Sequence, residues 1–525
     1  MDNIMNNNYI FKYKFAFIFF IMLFISIFER FIFSMQPDTS FFISYLEGSL
    51  NGMVIGKDIL DVNPPTSFVM FLPGIYIGKY LNIKSEFGIY FTTYMIFFAS
   101  IYLFRYIDKV SELLRDKDRK FFYLIYTFIF IVYYQDIFAQ REQYAIMLLM
   151  PFLALQASYL DGKHNISISV KSVAGILAGF SCVMKPHFIF PLLILLFYSM
   201  VLTKNIKYVI KFENFIMIFT SILYIALCFY FYIEFLYYVK DSIGIYYALD
   251  YMPLQFILRA RHSISYIVLL LIIIFIQHKH PKMKEYKILN VFLITSIGFY
   301  GVYLLQWKGF PYHIYPALVL TFLCFTIYWK NIIEQLKILN VPKKDTVIAY
   351  LGFLFFSLFF LTEGFATLHL VPSNRDVERA VLDIAKKPKI LSLTRDIAEG
   401  HPLVRDVNGL WVGSFPSLWA YAFVLQDSEL PLILIDNYKD LPIKQKQLFE
   451  TRRRTAIRQL KIAAKDIEER KPDIVILSQN NIWKQFIFSD PDMVHAMDDY
   501  EHAANVDLIE LWKRKELPIE NTQSK

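Results

Sequence analysis

The sequence predicts an α-helical polytopic membrane protein of about eleven transmembrane helices, followed by a soluble α/β domain at its C-terminal end. Three observations predict it. First, 56% of the 525 residues are hydrophobic and only 19% are charged, with a mean hydropathy of +0.40; a soluble chain carries about a quarter charged residues. Second, the charge is missing from long blocks and crowded into the gaps between them, as a hydrocarbon solvent demands. Third, from Gly364 onward the long apolar blocks give way to short β-like runs and a polar helical pattern.

The apolar stretches fall near residues 14–35, 87–107, 121–139, 144–160, 172–184, 188–203, 214–233, 264–277, 288–305, 314–329 and 346–363. The first resembles a signal peptide behind Lys12 and Lys14, but it is about twenty residues long and lacks a small-x-small cleavage site, so it is expected to be retained. Residues 67–81 differ from the rest. They follow Pro64-Pro65, contain Pro73 and Gly74, and are too short to cross, which predicts an interfacial segment.

With residues 67–81 kept out of the bilayer, the gaps alternate in charge. Those at 12–14, 109–120, 163–171, 204–211, 279–287 and 330–344 hold twenty lysines and arginines, against nine in the opposite set before the tail. The positive-inside rule then makes the N-terminus cytoplasmic and the C-terminal domain periplasmic or extracellular. The expected location is a cell membrane, the inner membrane of a bacterium. The domains are 1–363, with a first outer loop at 36–86, and 364–525.

A net charge of +8 could serve nucleic acid, but the basic residues occupy short loops between apolar spans, and no soluble basic stripe with interleaved aromatics is evident. Nucleic acid is therefore not an expected partner. The cysteines, Cys182, Cys228 and Cys324, lie inside apolar spans with no zinc or redox spacing. No ligand-spaced cluster calls for a metal or other cofactor, and the scattered carboxylates leave a divalent ion open.

In the tail, runs at Lys389–Leu393, Leu432–Ile435, Asp473–Leu477 and Val506–Leu511 read as strands, and Ile443–Arg470 as a long polar helix that Pro472 ends. The domain has no Gly-rich phosphate loop or nucleophile elbow. Trp411 and Trp419 are expected in its core, the alternative being a sugar-stacking surface.

The polar clusters of the membrane part all map to the non-cytoplasmic helix ends. Asp38 follows the first span, and Asp58, Asp61 and Asn63 lie in the first loop. Gln140-Arg141-Glu142-Gln143 joins the third and fourth spans, Lys185-Pro186-His187 the fifth and sixth, and Gln306-Trp307-Lys308 through Tyr312-His313 the ninth and tenth. Charges held at membrane depth without a long loop mark a functional site by default. Several cations beside a carboxylate suit a phosphate. The plainer reading anchors each charge at a headgroup or pairs neighbours, as Arg141 with Glu142.

An acidic residue just past the first span, then Gly52-Met53-Val54-Ile55-Gly56-Lys57-Asp58 and Asp61-Val62-Asn63-Pro64-Pro65, resembles the GT-C superfamily of membrane glycosyltransferases, in its protein O-mannosyltransferase-like and aminoarabinose-transferase-like branch. That pattern runs from the acid through "G…Y-x-D…x-P-P" to an interfacial helix and the second span. The chain departs from it in two places. Pro37-Asp38-Thr39 stands where many members have Asp-Glu, and Arg141-Glu142 stands where relatives often have Asp.

The resemblance implies a GT-C-like fold and an inverting transfer of a sugar from a polyprenyl-phosphate donor to a hydroxyl on a glycan, lipid or protein at the outer membrane face. It makes Asp38 the general base. Arg141, Lys185 and Lys308, assisted by His187 and His313, would hold the donor phosphate, while Asp58, Asp61, Asn63 and Glu142 contact substrate or shape the loop. Against Asp38 as base stands a capping role through Thr39 and Ser40. Two other classes compete: a transporter or flippase for a lipid-linked saccharide, and a glycan polymerase using Arg259, Arg261 and His262 of a 234–263 outer loop.

Overall fold

The computed structural model describes residues 2–133, 137–163, 165–249, 252–338, 342–366, 375–419 and 443–516. The chain divides into two compact units. One is Met1–Ile32, Pro73–Leu227 and Met252–Leu370; the other is Phe33–Leu72, Cys228–Tyr251 and Val371–Lys525. The unit that holds the tail therefore also takes in chain from before residue 363.

The helices in chain order are α1 (Asp2–Ile32), α2 (Pro37–Leu50), α3 (Thr66–Val69), α4 (Leu72–Leu81), α5 (Ser85–Ser111), α6 (Asp116–Thr127), α7 (Arg141–Leu160), α8 (Ile168–Met184) and α9 (Ile189–Thr203). They continue with α10 (Phe212–Phe231), α11 (Ile233–Leu249), α12 (Leu254–Arg259), α13 (Arg261–Lys279), α14 (Lys287–Leu305), α15 (Pro311–Ile338) and α16 (Lys343–Ala366). Each of the eleven predicted stretches falls on a helix. Among the described residues, eight are long and apolar enough to cross a membrane. The other stretches fall on α6, on α8, which has 17 residues, and on α16.

In the membrane unit α7 and α15 are buried nearly throughout, while α1 exposes Phe17, Phe20, Phe24, Phe28 and Phe31. An apolar helix with an apolar outer face belongs in lipid, where such exposure costs nothing. Residues 67–81 form two short helices, α3 and α4, that part at Met70-Phe71, with Pro73 in the first turn of α4, and not one continuous helix. The 234–263 segment, read as a loop, is largely helical through α11 and α12.

The third stretch ends earlier than its hydropathy suggests. α6 passes into a π-helical turn, Phe128–Val132, and stops there. The turn's carbonyls are taken by side chains from other helices: Tyr315 donates to Ile129 at 3.3 Å, Gln143 to Phe130 at 2.7 Å, and Ser26 to Ile131. Such turns survive where other groups satisfy the displaced backbone. Hydropathy cannot see those donors.

The tail builds a five-stranded sheet in the order β2-β1-β3-β5-β4, from β1 (Lys389–Leu393), β2 (Leu410–Trp411), β3 (Ile474–Ser478), β4 (Tyr500–Val506) and β5 (Ile509–Arg514). β1 is parallel to β2 and β3, with Ile390 opposite Ile474, and β5 is antiparallel to β3 and β4. Around it stand α17 (Arg375–Ile384), α18 (Leu403–Asp406), α19 (Ile443–Arg470), α20 (Asn481–Ile487) and α21 (Pro491–Ala496). α19 buries Ala456, Leu460, Ala463, Ala464 and Ile467 in a core with Leu391, Leu393, Val475, Leu477 and Trp483. Its apolar positions recur at helical spacing, and three alanines let it lie close to the sheet.

Two strand expectations change. Val506–Leu511 is not one strand but the end of β4, a turn at Asp507-Leu508 with Asp507 at φ 53°, and the start of β5. Leu432–Ile435 lies outside the described residues. Trp411 is buried, its Nε1 donating to the Gly413 carbonyl at 2.9 Å, and Trp419 packs on Tyr246 with ring centroids 5.3 Å apart.

Candidate functional site

α7 and α8 run antiparallel as neighbours, so the start of one and the end of the other share an end of the membrane unit. Arg141 opens α7 and Lys185 follows α8. There Lys185 Nζ pairs with Glu142 Oε1, so the carboxylate's partner is the lysine 43 positions away. Lys185 Nζ also lies 5.4 Å from the centre of the Tyr312 ring, which brings in the start of α15. His313 lies within electrostatic range of Lys185, His187, Arg141 and Lys308. One end of this unit thus gathers six predicted site residues from four helices and their loops.

The local sequence shapes each contributor. Ala139 takes φ 66° and its N–H donates to Gln143 Oε1 at 2.7 Å, which turns the chain into α7 and presents Gln140, Arg141 and Glu142. Trp307 at φ 54° and Gly309 at φ 69° fold the loop that carries Lys308. His262 bonds the Tyr303 hydroxyl at 2.7 Å, and the Met252 N–H donates to the Trp307 carbonyl at 2.8 Å, so neighbouring chain holds that loop. His262 is engaged in structure.

These groups are withdrawn from solvent. Arg141 is 4% exposed, Lys185 6%, Lys308 4% and Glu142 not at all. Glu142 Oε2, His187 Nε2, His313 Nδ1 and both amide atoms of Gln140 have no hydrogen-bond partner among the described residues. A buried polar atom without one costs roughly 1–3 kcal/mol. Such a concentration of cations and open hydrogen-bonding atoms is built to receive a polar, anionic ligand. Arg30, in the last turn of α1, adds a cation over the Phe138 ring at 4.1 Å. Sequence reading placed it inside the first span.

The soluble unit holds the remaining predicted residues. Asp38 sits in the first turn of α2, half-buried, but it is not the cap: Gln36 Oε1 accepts the Thr39 N–H at 2.9 Å. Asp58 accepts the Val54 N–H at 2.8 Å, and Asp61 accepts the Asn63 N–H at 2.6 Å. Those are loop-shaping contacts. Gly56, at φ 94°, passes so close to α11 that an added Cβ would meet the Phe235 nitrogen at 2.2 Å.

Residues the sequence did not single out tie α2 and this loop to the tail. Arg405 forks onto Glu47 at 2.8 and 3.1 Å. The Ser414 carbonyl accepts from the Tyr45 hydroxyl and the Leu60 N–H, both at 2.9 Å. Asp466 accepts from Ser414 N–H at 2.7 Å and its hydroxyl at 2.9 Å, with Arg470 3.3 Å away. Burial pushes the Asp466 carboxyl up to about 6, against the pull of Arg470 and the Ser414 hydrogen bonds. His401, packed on Trp411 with ring centroids 4.3 Å apart, is pulled down to about 3 by burial and then by Arg405.

Among the described residues no group of three or more His, Cys, Asp or Glu is placed to hold a metal ion.

The architecture has a solved counterpart. The crystal structure of ArnT from Cupriavidus metallidurans bound to undecaprenyl phosphate aligns with a TM-score of 0.55 over 96% of this chain and 97% of that one, at 10% identity. The chain thus has a GT-C-like fold. No family model and no curated protein matches it.

Proposed function

We propose that the chain is a membrane glycosyltransferase that takes a sugar from a polyprenyl-phosphate donor. The observation that carries this is the buried group at one end of the membrane unit, where Arg141, Lys185 and Lys308 stand with the open atoms of Gln140, Glu142, His187 and His313. The ArnT structure, with the same fold, holds undecaprenyl phosphate, which supports a phosphate of that class here.

In this reading Arg141, Lys185 and Lys308 bind the phosphate, His187 and His313 assist, and Glu142 orients Lys185. An acceptor hydroxyl on a glycan, lipid or protein attacks the anomeric carbon from the face opposite the phosphate. The bond to the phosphate oxygen breaks, and Asp38 takes the hydroxyl proton. Configuration inverts, so one carboxylate suffices. The departing polyprenyl phosphate gains negative charge, which preorganised cations stabilise in the transition state. Asp58, Asp61 and Asn63 shape the loop after α2. No resident metal or other cofactor is assigned. Transfer takes place at the outer face of a bacterial inner membrane, with the N-terminus cytoplasmic and the soluble unit outside.

The test is transfer by the purified full-length protein from a panel of polyprenyl-phosphate sugars to cell-envelope glycans and lipids, followed by mass spectrometry. Asp38→Asn is expected to slow transfer by about 10²–10⁴ with unchanged melting. Wild-type rates in a folded Asp38→Asn protein would remove the base.

A further inference from the structure

α19 buries one face in the sheet core and carries charged side chains on the other. Arg454, Arg458, Lys461 and Lys465 are all exposed. Their spacing of four, three and four places them along one face, over about 16 Å at 1.5 Å per residue. Half-buried Ile457 and Ile462 lie between them, and the six side chains line an open trough of about 490 Å³. Among the described residues its acidic neighbours are peripheral: Asp492 is 3.6 Å from Lys461 and Glu469 is 3.7 Å from Lys465. Exposed pairs of this kind are weak and exchange readily for another anion.

Within the same unit α19 packs on α21 and also touches α11. α11 follows directly on the apolar span α10, and the chain across that junction exposes Tyr230, Phe231, Ile233 and Tyr237. Exposed tyrosine and phenylalanine at the end of a span are the composition of a membrane–water interface. Tyr238 of α11 lies within electrostatic range of Arg458.

We infer that the Arg454–Lys465 face of α19 docks on the anionic phospholipid headgroups of the bilayer that the chain itself spans. Four cations meet the phosphates, and the two isoleucines meet the apolar edge of the headgroup layer. Charge complementarity selects this partner, and covalent attachment to the spanning helices keeps the bilayer at high effective concentration. Each cation near an anionic surface contributes about a fivefold preference. This inference does not depend on the proposed glycosyl transfer.

The test uses the full-length protein with a bimane fluorophore on Ile462→Cys, in a background where the three buried cysteines are replaced by alanine. It is placed in nanodiscs of phosphatidylcholine, alone or with 30% phosphatidylglycerol, with a trace of headgroup-nitroxide lipid as quencher. Quenching is expected to be strong only with phosphatidylglycerol and to vanish in 0.5 M NaCl. Arg458→Glu/Lys461→Glu should weaken docking by a factor on the order of 10²–10³. Should that variant not fold, the lipid and salt arms decide alone. Equal quenching in both lipids would overturn the inference. So would protection by soluble tripolyphosphate with no response to phosphatidylglycerol, which would assign the face to a soluble anion.

Discussion

The two ends of the membrane unit use their buried charges in opposite ways. At the end away from Arg141, Asp118 accepts from Lys330 at 2.7 Å, the Tyr286 hydroxyl at 2.7 Å and Asn331 at 3.3 Å. Asp108 accepts from Arg119 at 2.8 Å, Tyr123 at 2.9 Å and the Leu114 N–H at 2.9 Å. Both carboxylates are fully buried, and each has three donors. At the Arg141 end, the equally buried Glu142 bonds Lys185 through one oxygen, and among the described residues its other oxygen, like atoms of His187, His313 and Gln140, has no hydrogen-bond partner. A saturated network fixes a fold, whereas an open one waits for a ligand.

If that contrast is right, the saturated end should fail in stability and the open end in activity. Lys330→Ala would leave Asp118 buried without its cation and should destabilise the protein by about 3–5 kcal/mol. Melting in detergent checks this, and the folded fraction should transfer sugar at the wild-type rate. A loss of activity without loss of stability would erase the distinction.

The soluble unit repeats the contrast in its response to pH. Folded Asp466 keeps its proton to about pH 6, whereas the unfolded chain gives it up near the usual carboxylate value. It therefore contributes stability at low pH that is lost as the pH rises through 6. Folded His401 resists protonation to about pH 3, so its contribution runs the other way and is lost as the pH falls below the ordinary histidine range. Between pH 4 and 6 the two oppose each other. Asp466→Asn should make stability rise with pH across that window relative to wild type, by roughly 3 kcal/mol, and His401→Phe should make it fall. Melting curves of the full-length protein at pH 4, 5 and 6 separate these outcomes.

A smaller effect is expected at Gly56, where a Cβ meets the α11 backbone and φ is 94°. Gly56→Ala should cost roughly 1–3 kcal/mol, read by thermal melting. A neutral result would mean the first loop yields easily and is not held by α11.

Much of this was legible in the sequence because lipid imposes simple rules. Long apolar runs became helices, residues 67–81 did not form one continuous helix, and the cationic clusters at 141, 185 and 308 met at one end. What stayed hidden depends on partners distant in sequence. The π turn that ends the third stretch needs Ser26, Gln143 and Tyr315. Lys185 finds Glu142 across 43 positions, and Arg405 finds Glu47 across 358. The β4–β5 turn escaped notice because Asp507 occupies the left-handed region without a glycine to announce it. Asp118 lies in the basic 109–120 gap, and its role needs Lys330 and Tyr286 brought alongside.

The central claim is that the open end binds the phosphate of a polyprenyl phosphate. It is tested most directly by titrating undecaprenyl phosphate into the full-length protein, alongside Lys308→Ala and Lys330→Ala. A charge-assisted hydrogen bond is worth about 1.5–3 kcal/mol, so Lys308→Ala should weaken binding about 10- to 100-fold and Lys330→Ala not at all. Equal affinity in all three proteins would contradict the account.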